Sequence, residues 1–216
     1  MSPYDWQESI GHRAQYVESR LATGIPVAAL SVPEGVLIVS LRRQSAKIFE
    51  VYDRLAMSAI GLQSDVEAIR TAAVEFCHRE GFQRSPEDVT LKRTVAGLSQ
   101  SLRAAFGDLR GVPLICQSLF AELGETPEQD RFAILEYSGD FHEYRTSAVL
   151  TFAGEEDIQK ALSEAKGKPE AMAKKIGEAI RDTVEADTSD FVVEAALIER
   201  ANKTDRKFRR ILGEQE

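Results

Sequence analysis

Two apolar runs near the start restrict the fold of this 216-residue chain more than any other feature: residues 27–32 (VAALSV) and 36–41 (VLIVSL) are apolar at nearly every position. A strand with one wet face alternates apolar and polar residues, whereas a strand covered on both faces does not. Pro33, Glu34 and Gly35 lie between the runs, so the segment predicts a β-hairpin inside a doubly covered sheet.

The rest of the chain repeats this theme in blocks. Strands are predicted at 47–52 and 55–60, closed by Gly61. Ser64 followed by Glu67 has the spacing of a capping box, and Val66, Ile69, Ala73 and Phe76 then recur at helical steps. Ser85, Pro86 and Asp88 supply a cap, a first-turn proline and a first-turn acid for a second helix with Leu91, Val95, Leu98, Leu102 and Phe106 on one face. Short strands are expected at 112–123, 131–137, 141–145 and 148–152, broken by Gly124, Pro127 and the Ser138-Gly139-Asp140 turn. Glu155, Glu156 and Asp157 open a third helix that Gly167 ends, and Pro169 starts a fourth carrying Met172, Ile176, Ile180 and Val184. Strands at 191–198 and 207–211 close the chain, while an amphipathic helix at 5–21, with Trp6, Ile10, Ala14, Val17 and Leu21 on its stripe, precedes everything. The order strands, helix pair, strands, helix pair, strands implies an α+β fold. Two sheets pack face to face and each helix pair covers an outer face, giving a four-layer αββα sandwich in one domain.

Composition and motifs exclude several functions. Against 27 Lys and Arg stand 35 Asp and Glu, a formal net charge of −8, which disfavours a general nucleic-acid binder. The basic group Arg206, Lys207, Arg209 and Arg210 reads as the solvated face of the last strand. No apolar run reaches the roughly 20 residues that span a bilayer, and Asp5 and Glu8 stand where an export signal is basic and then apolar. A cytoplasmic chain without membrane attachment is therefore expected, and the two cysteines, Cys77 and Cys116, are expected to remain free thiols. No phosphate-binding glycine loop and no Gly-X-Ser-X-Gly elbow occurs. His12, His78 and His142 are scattered, so neither a metal site nor a cofactor is expected.

From Ile25 onward the chain resembles a proteasome subunit. The hairpin, then Lys47-Ile48-Phe49-Glu50-Val51-Tyr52-Asp53-Arg54, then the strand ending Ala59-Ile60-Gly61 match that family in order and spacing. The resemblance is strongest to actinobacterial-type α subunits, through residues 55–61, the connection 80–89 and the closing Lys207-Phe208-Arg209-Arg210-Ile211. It implies the N-terminal-nucleophile hydrolase fold, with residues 1–24 as gate and extra helix and 25–216 as the sandwich. Catalytic subunits of this family use an N-terminal threonine tuned by an acid and a lysine. Lys47 matches the lysine, but Leu41 occupies the place of the acid and Ile25 that of the threonine, and the nearby Thr23 precedes a glycine instead of following one. No catalytic residue is therefore expected.

The resemblance implies a non-catalytic α subunit with a gate at Met1, Ser2, Pro3 and Tyr4 and ring contacts through Trp6, Ile10, Val17 and Leu21. Lys47 would receive the C-terminal carboxylate of an activating AAA ATPase. The implied partners are further α subunits in a homo-heptamer, a catalytic β subunit, and protein substrates in transit. Two other readings stay open at this point: a self-processing β-like threonine protease, and a homologue that assembles without a partner.

Overall fold

The computed structural model describes residues 3–201 and 206–213. Its first sheet takes the strand order β10-β9-β2-β1-β8. These strands are β1 (Val27–Val32), β2 (Gly35–Arg42), β8 (Ser147–Leu150), β9 (Val192–Glu199) and β10 (Phe208–Leu212). The second sheet runs β3-β4-β5-β6-β7, from β3 (Ile48–Tyr52), β4 (Leu55–Gly61), β5 (Cys116–Glu122), β6 (Arg131–Leu135) and β7 (Phe141–Tyr144). Every neighbouring pair is antiparallel. Among the described residues five α-helices accompany the sheets: α1 (Pro3–Leu21), α2 (Gln63–Gln83), α3 (Leu91–Gly107), α4 (Glu155–Glu164) and α5 (Pro169–Asp182).

Side-chain alternation along the strands builds the layers. In β1 and β2, Val27, Ala29, Val36 and Ile38 point between the sheets, where they meet Ile48, Ala56, Ile60, Leu119 and Phe132 of the second sheet. Their neighbours Ala28, Leu30, Leu37 and Val39 point outward onto Ile158 and Leu162 of α4 and Met172, Ile176 and Ile180 of α5. Met57, Phe120, Ala133 and Leu135 cover the other outer face together with Ile69 and Cys77 of α2 and Val95 and Leu98 of α3. All eight positions of β2 are buried, as expected for a strand with protein on both faces. The predicted αββα order is therefore the observed one.

Local departures have identifiable causes. Ser64 makes no capping box, because α2 begins at Gln63 with Leu62 in the cap position, and the Ser64 hydroxyl turns to Asp65 instead. The Asp65 carboxylate accepts from the amide of Ile115, 2.7 Å away, and Leu62 N donates to Ile115 O. These bonds pin residue 115 beside the start of α2, and β5 begins one residue later instead of at Val112, which is 83% exposed. Residues 86–88 form a separate 3-10 turn capped by Ser85, and α3 starts at Leu91 under its own cap, Thr90. Glu122 adds a carboxylate at that helix start, accepting from Leu91 N.

At the same end of β5, Asp130 is fully buried and accepts from the Ser31 hydroxyl, from Gly124 N and from both terminal nitrogens of Arg200. This ion pair ties the tip of the β1–β2 hairpin to the β5–β6 connection. Cys77 and Cys116 are free and buried. Among the described residues, no helix is long and apolar enough to cross a membrane.

Candidate functional site

α1 ends by driving Val17 and Leu21 into the space between the sheets, where both are fully buried. The chain then turns through residues 22–24, with Gly24 N donating to Leu21 O. A Cβ at Gly24 would collide with Cγ2 of Ile60, so only glycine lets the turn lie this close to β4. The turn delivers Ile25, whose carbonyl accepts a 2.9 Å hydrogen bond from Lys47 Nζ.

Lys47 stands just before β3 and lines a cavity of about 400 Å³ with Thr23, Arg43, Phe49, Val66 and Phe191. No acidic side chain lines it among the described residues. Burial pulls the Lys47 ammonium from its ordinary 10.5 down to about 7, against the opposing attraction of the Glu194 carboxylate. Arg42, buried in the cavity wall, donates to the carbonyls of Gln44 and Gly213, and Arg43 lies over the Phe191 ring. The result is a small cavity with cationic groups and apolar walls, suited to an anionic group carried on an apolar stem.

Glu194, fully buried on β9, crosses between the sheets beneath this site. Its carboxylate accepts from the amides of Lys47 (2.8 Å) and Ile48 (3.4 Å). Arg210 of β10 pairs with the same carboxylate and donates to Ile48 O at 2.8 Å. Leu41, the residue the resemblance aligns with the acid, is buried against the α4–α5 layer. Among the described residues no group of three or more His, Cys, Asp or Glu could hold a metal ion.

The model of the proteasome subunit family matches residues 22–198. The chain belongs to that family. Proteasome subunit alpha of Actinosynnema mirum is 30% identical over 219 residues, a match that covers 96% of this chain and 82% of the relative. Proteasome subunit alpha of Streptomyces scabiei is 27% identical over 217 residues, covering 97% and 87%. That of Jonesia denitrificans is 26% identical over 217 residues, covering 95% and 90%.

Within this proteasome-family fold, the residues singled out in the sequence have different fates. Lys47 lies in the cavity. Met1 and Ser2 fall outside the described residues, and Pro3 and Tyr4 open α1, two residues earlier than expected, with Tyr4 exposed. Of the four residues assigned to ring contact, Val17 and Leu21 are instead consumed by the subunit's own core, because the stripe of α1 is needed to close the end of the sandwich. Trp6 is 47% exposed and Ile10 partly so, and these two remain available to a neighbour.

Sequence reasoning missed Glu194 and misread Arg210. In the basic group near the C-terminus Arg206 and Arg209 are exposed, as expected of a solvated face, but Lys207 and Arg210 are partly buried and all four meet a carboxylate. Arg206 faces Glu50, Lys207 pairs with Asp53 at 2.9 Å, Arg209 with Glu199 at 2.6 Å, and Arg210 with Glu194. The signal available was a lone Glu within the apolar run 191–198, a position that a charge occupies only when it is partnered.

Proposed function

We propose that this chain is a non-catalytic α-type subunit of a proteasome core particle. Copies of it form the outer ring, a homo-heptamer, that stacks on a catalytic β ring in the cytoplasm, restricts the entry of protein substrates and receives an AAA ATPase. The observation that carries this reading is the internal, core-anchored peptide at the nucleophile's place. Val17 and Leu21 fasten the preceding helix into the core, Ile25 stands where a threonine would be, and the Lys47 ammonium is engaged by the Ile25 carbonyl. A threonine protease of this kind needs a hydroxyl with a free amine beside it. The relatives named Proteasome subunit alpha, aligned over nearly all of this chain, support the same reading.

Docking belongs to the cavity. A chain terminus bearing a carboxylate on an apolar last residue matches Lys47, Arg43 and the Phe49, Val66 and Phe191 walls. Gating belongs to residues 1–4, the last two of which begin α1, and lateral ring contact to the exposed part of α1 around Trp6 and Ile10.

The test is peptide hydrolysis by this chain alone and with a candidate β partner, with N-terminal sequencing of both chains. Hydrolysis only in the mixed particle, with residues 1–24 still present, is the expected result. Hydrolysis by this chain alone, trimmed to Thr23, would establish the self-processing protease instead. Lys47→Ala is expected to remove ATPase-stimulated degradation, and deletion of residues 1–4 to speed basal peptide hydrolysis.

A further inference from the structure

The buried charges around Lys47 are more than packing. Glu194 lies on the first sheet and Lys47 at the head of the second, so the bonds between them cross the sandwich. A carboxylate with no exposed surface is costly unless its oxygens are fully partnered, and here they are, by two backbone amides and a guanidinium. Arg210 closes the circuit by donating to Ile48 O, so both the N–H and the C=O of residue 48 are gripped from the opposite sheet. We propose that Glu194 and Arg210 are positioning residues for the Lys47 cavity: their ion pair clamps the backbone of residues 47 and 48 and so fixes the seat from which Lys47 meets an incoming carboxylate. This deepens the docking reading and rests on it.

The clamp also bears on the lysine's charge. The charged groups around Lys47 are Glu194 from β9, Arg210 from β10 paired with it, and Arg42 and Arg43, which line the same cavity. Glu194 favours the ammonium and burial opposes it, while Arg210 neutralises part of the Glu194 charge by pairing with it. Removing Glu194's charge therefore lowers the pH at which Lys47 loses its proton. Removing Arg210 leaves Glu194 unopposed and raises it. Opposite shifts in the two variants require both charges to act on the Lys47 ammonium from the places the ion pair holds them, and the response to the carboxylate peptide then reports whether that seat is the docking seat.

The experiment follows the 13Cε resonance of Lys47 across pH 5–10 in the lysine-labelled, assembled protein, assigned with Lys47→Arg. It is run on the unmodified protein, Glu194→Gln and Arg210→Met. The probe is a short Leu-ended peptide with a free C-terminal carboxylate, compared with its C-terminal amide. The expected result is a midpoint near 7 in the unmodified protein, a lower one in Glu194→Gln and a higher one in Arg210→Met, with the carboxylate peptide alone raising it. Midpoints unchanged or moved the same way in both variants would overturn the clamp. If Glu194→Gln fails to fold, Arg210→Met decides alone by the direction of its shift. Midpoints that move as expected without a response to the carboxylate peptide would leave the clamp standing and refute carboxylate docking.

Discussion

Leu21→Ala separates the two duties assigned to α1. Leu21 is fully buried between the sheets, and the turn after it is held to β4 through Gly24, so the surroundings cannot collapse into the space a shortened side chain leaves. Lost transfer energy and the residual cavity together cost about 3 kcal/mol for such a Leu→Ala change. In a chain of this length that lowers Tm by roughly 6–12 °C. Trp6→Ala, at a half-exposed position of the same helix, costs the unassembled chain less than about 0.5 kcal/mol. It should instead reduce the yield of rings. Circular-dichroism melts of the unassembled chain, with ring yield by size-exclusion chromatography, measure both effects. A Leu21→Ala loss under about 1 kcal/mol would refute the view that α1 is an integral part of the core, and Trp6→Ala with full ring yield would refute the assignment of its outer end to a neighbour.

Three further outcomes follow from the same geometry. Asp130→Ala leaves the mostly buried Arg200 guanidinium without its carboxylate and should cost about 3 kcal/mol in urea unfolding; a near-neutral change would show that the surrounding carbonyls suffice. Burial pushes the Cys77 thiol to about 11 and the Cys116 thiol to about 12, so neither should react with iodoacetamide at pH 8 until the chain is unfolded; rapid labelling of the folded chain would contradict their place in the core. Between about pH 7 and 10.5 the unfolded chain binds a proton on Lys47 that the folded chain has released. The unmodified chain should therefore gain stability relative to Lys47→Met as pH rises through this window, by up to ~1.4 kcal/mol per unit. A stability difference that stays flat or falls would place the ammonium in open solvent.

The layered fold was legible because apolar periodicity is a property of whole segments. Residues 27–41 lack the alternation of a half-exposed sheet, and that alone required cover on both faces. The stripes on α3 and α5 gave the covering helices in the same way. What failed were inferences from single local motifs. The Ser64–Glu67 spacing predicts a capping box, yet the amide of Ile115, 50 residues further along the chain, recruits the neighbouring Asp65. The α1 stripe was read as an intersubunit surface because Val17 and Leu21 look the same in sequence whether they meet a neighbour or their own sheets. Lys47 was found through resemblance, since a lone lysine before a strand carries no chemistry by itself. Glu194 and Arg210, over 140 residues away, reach it only because β9 and β10 lie at the matching edge of the opposite sheet.

The non-catalytic role is tested most directly by treating the active mixed particle with a peptide epoxyketone, which closes a ring with both the hydroxyl and the free amine of an N-terminal threonine, and weighing each chain intact. The account predicts an adduct on the β partner alone, with this chain unmodified and its residues 1–24 present. An adduct on this chain, shortened to begin at Thr23, would contradict it.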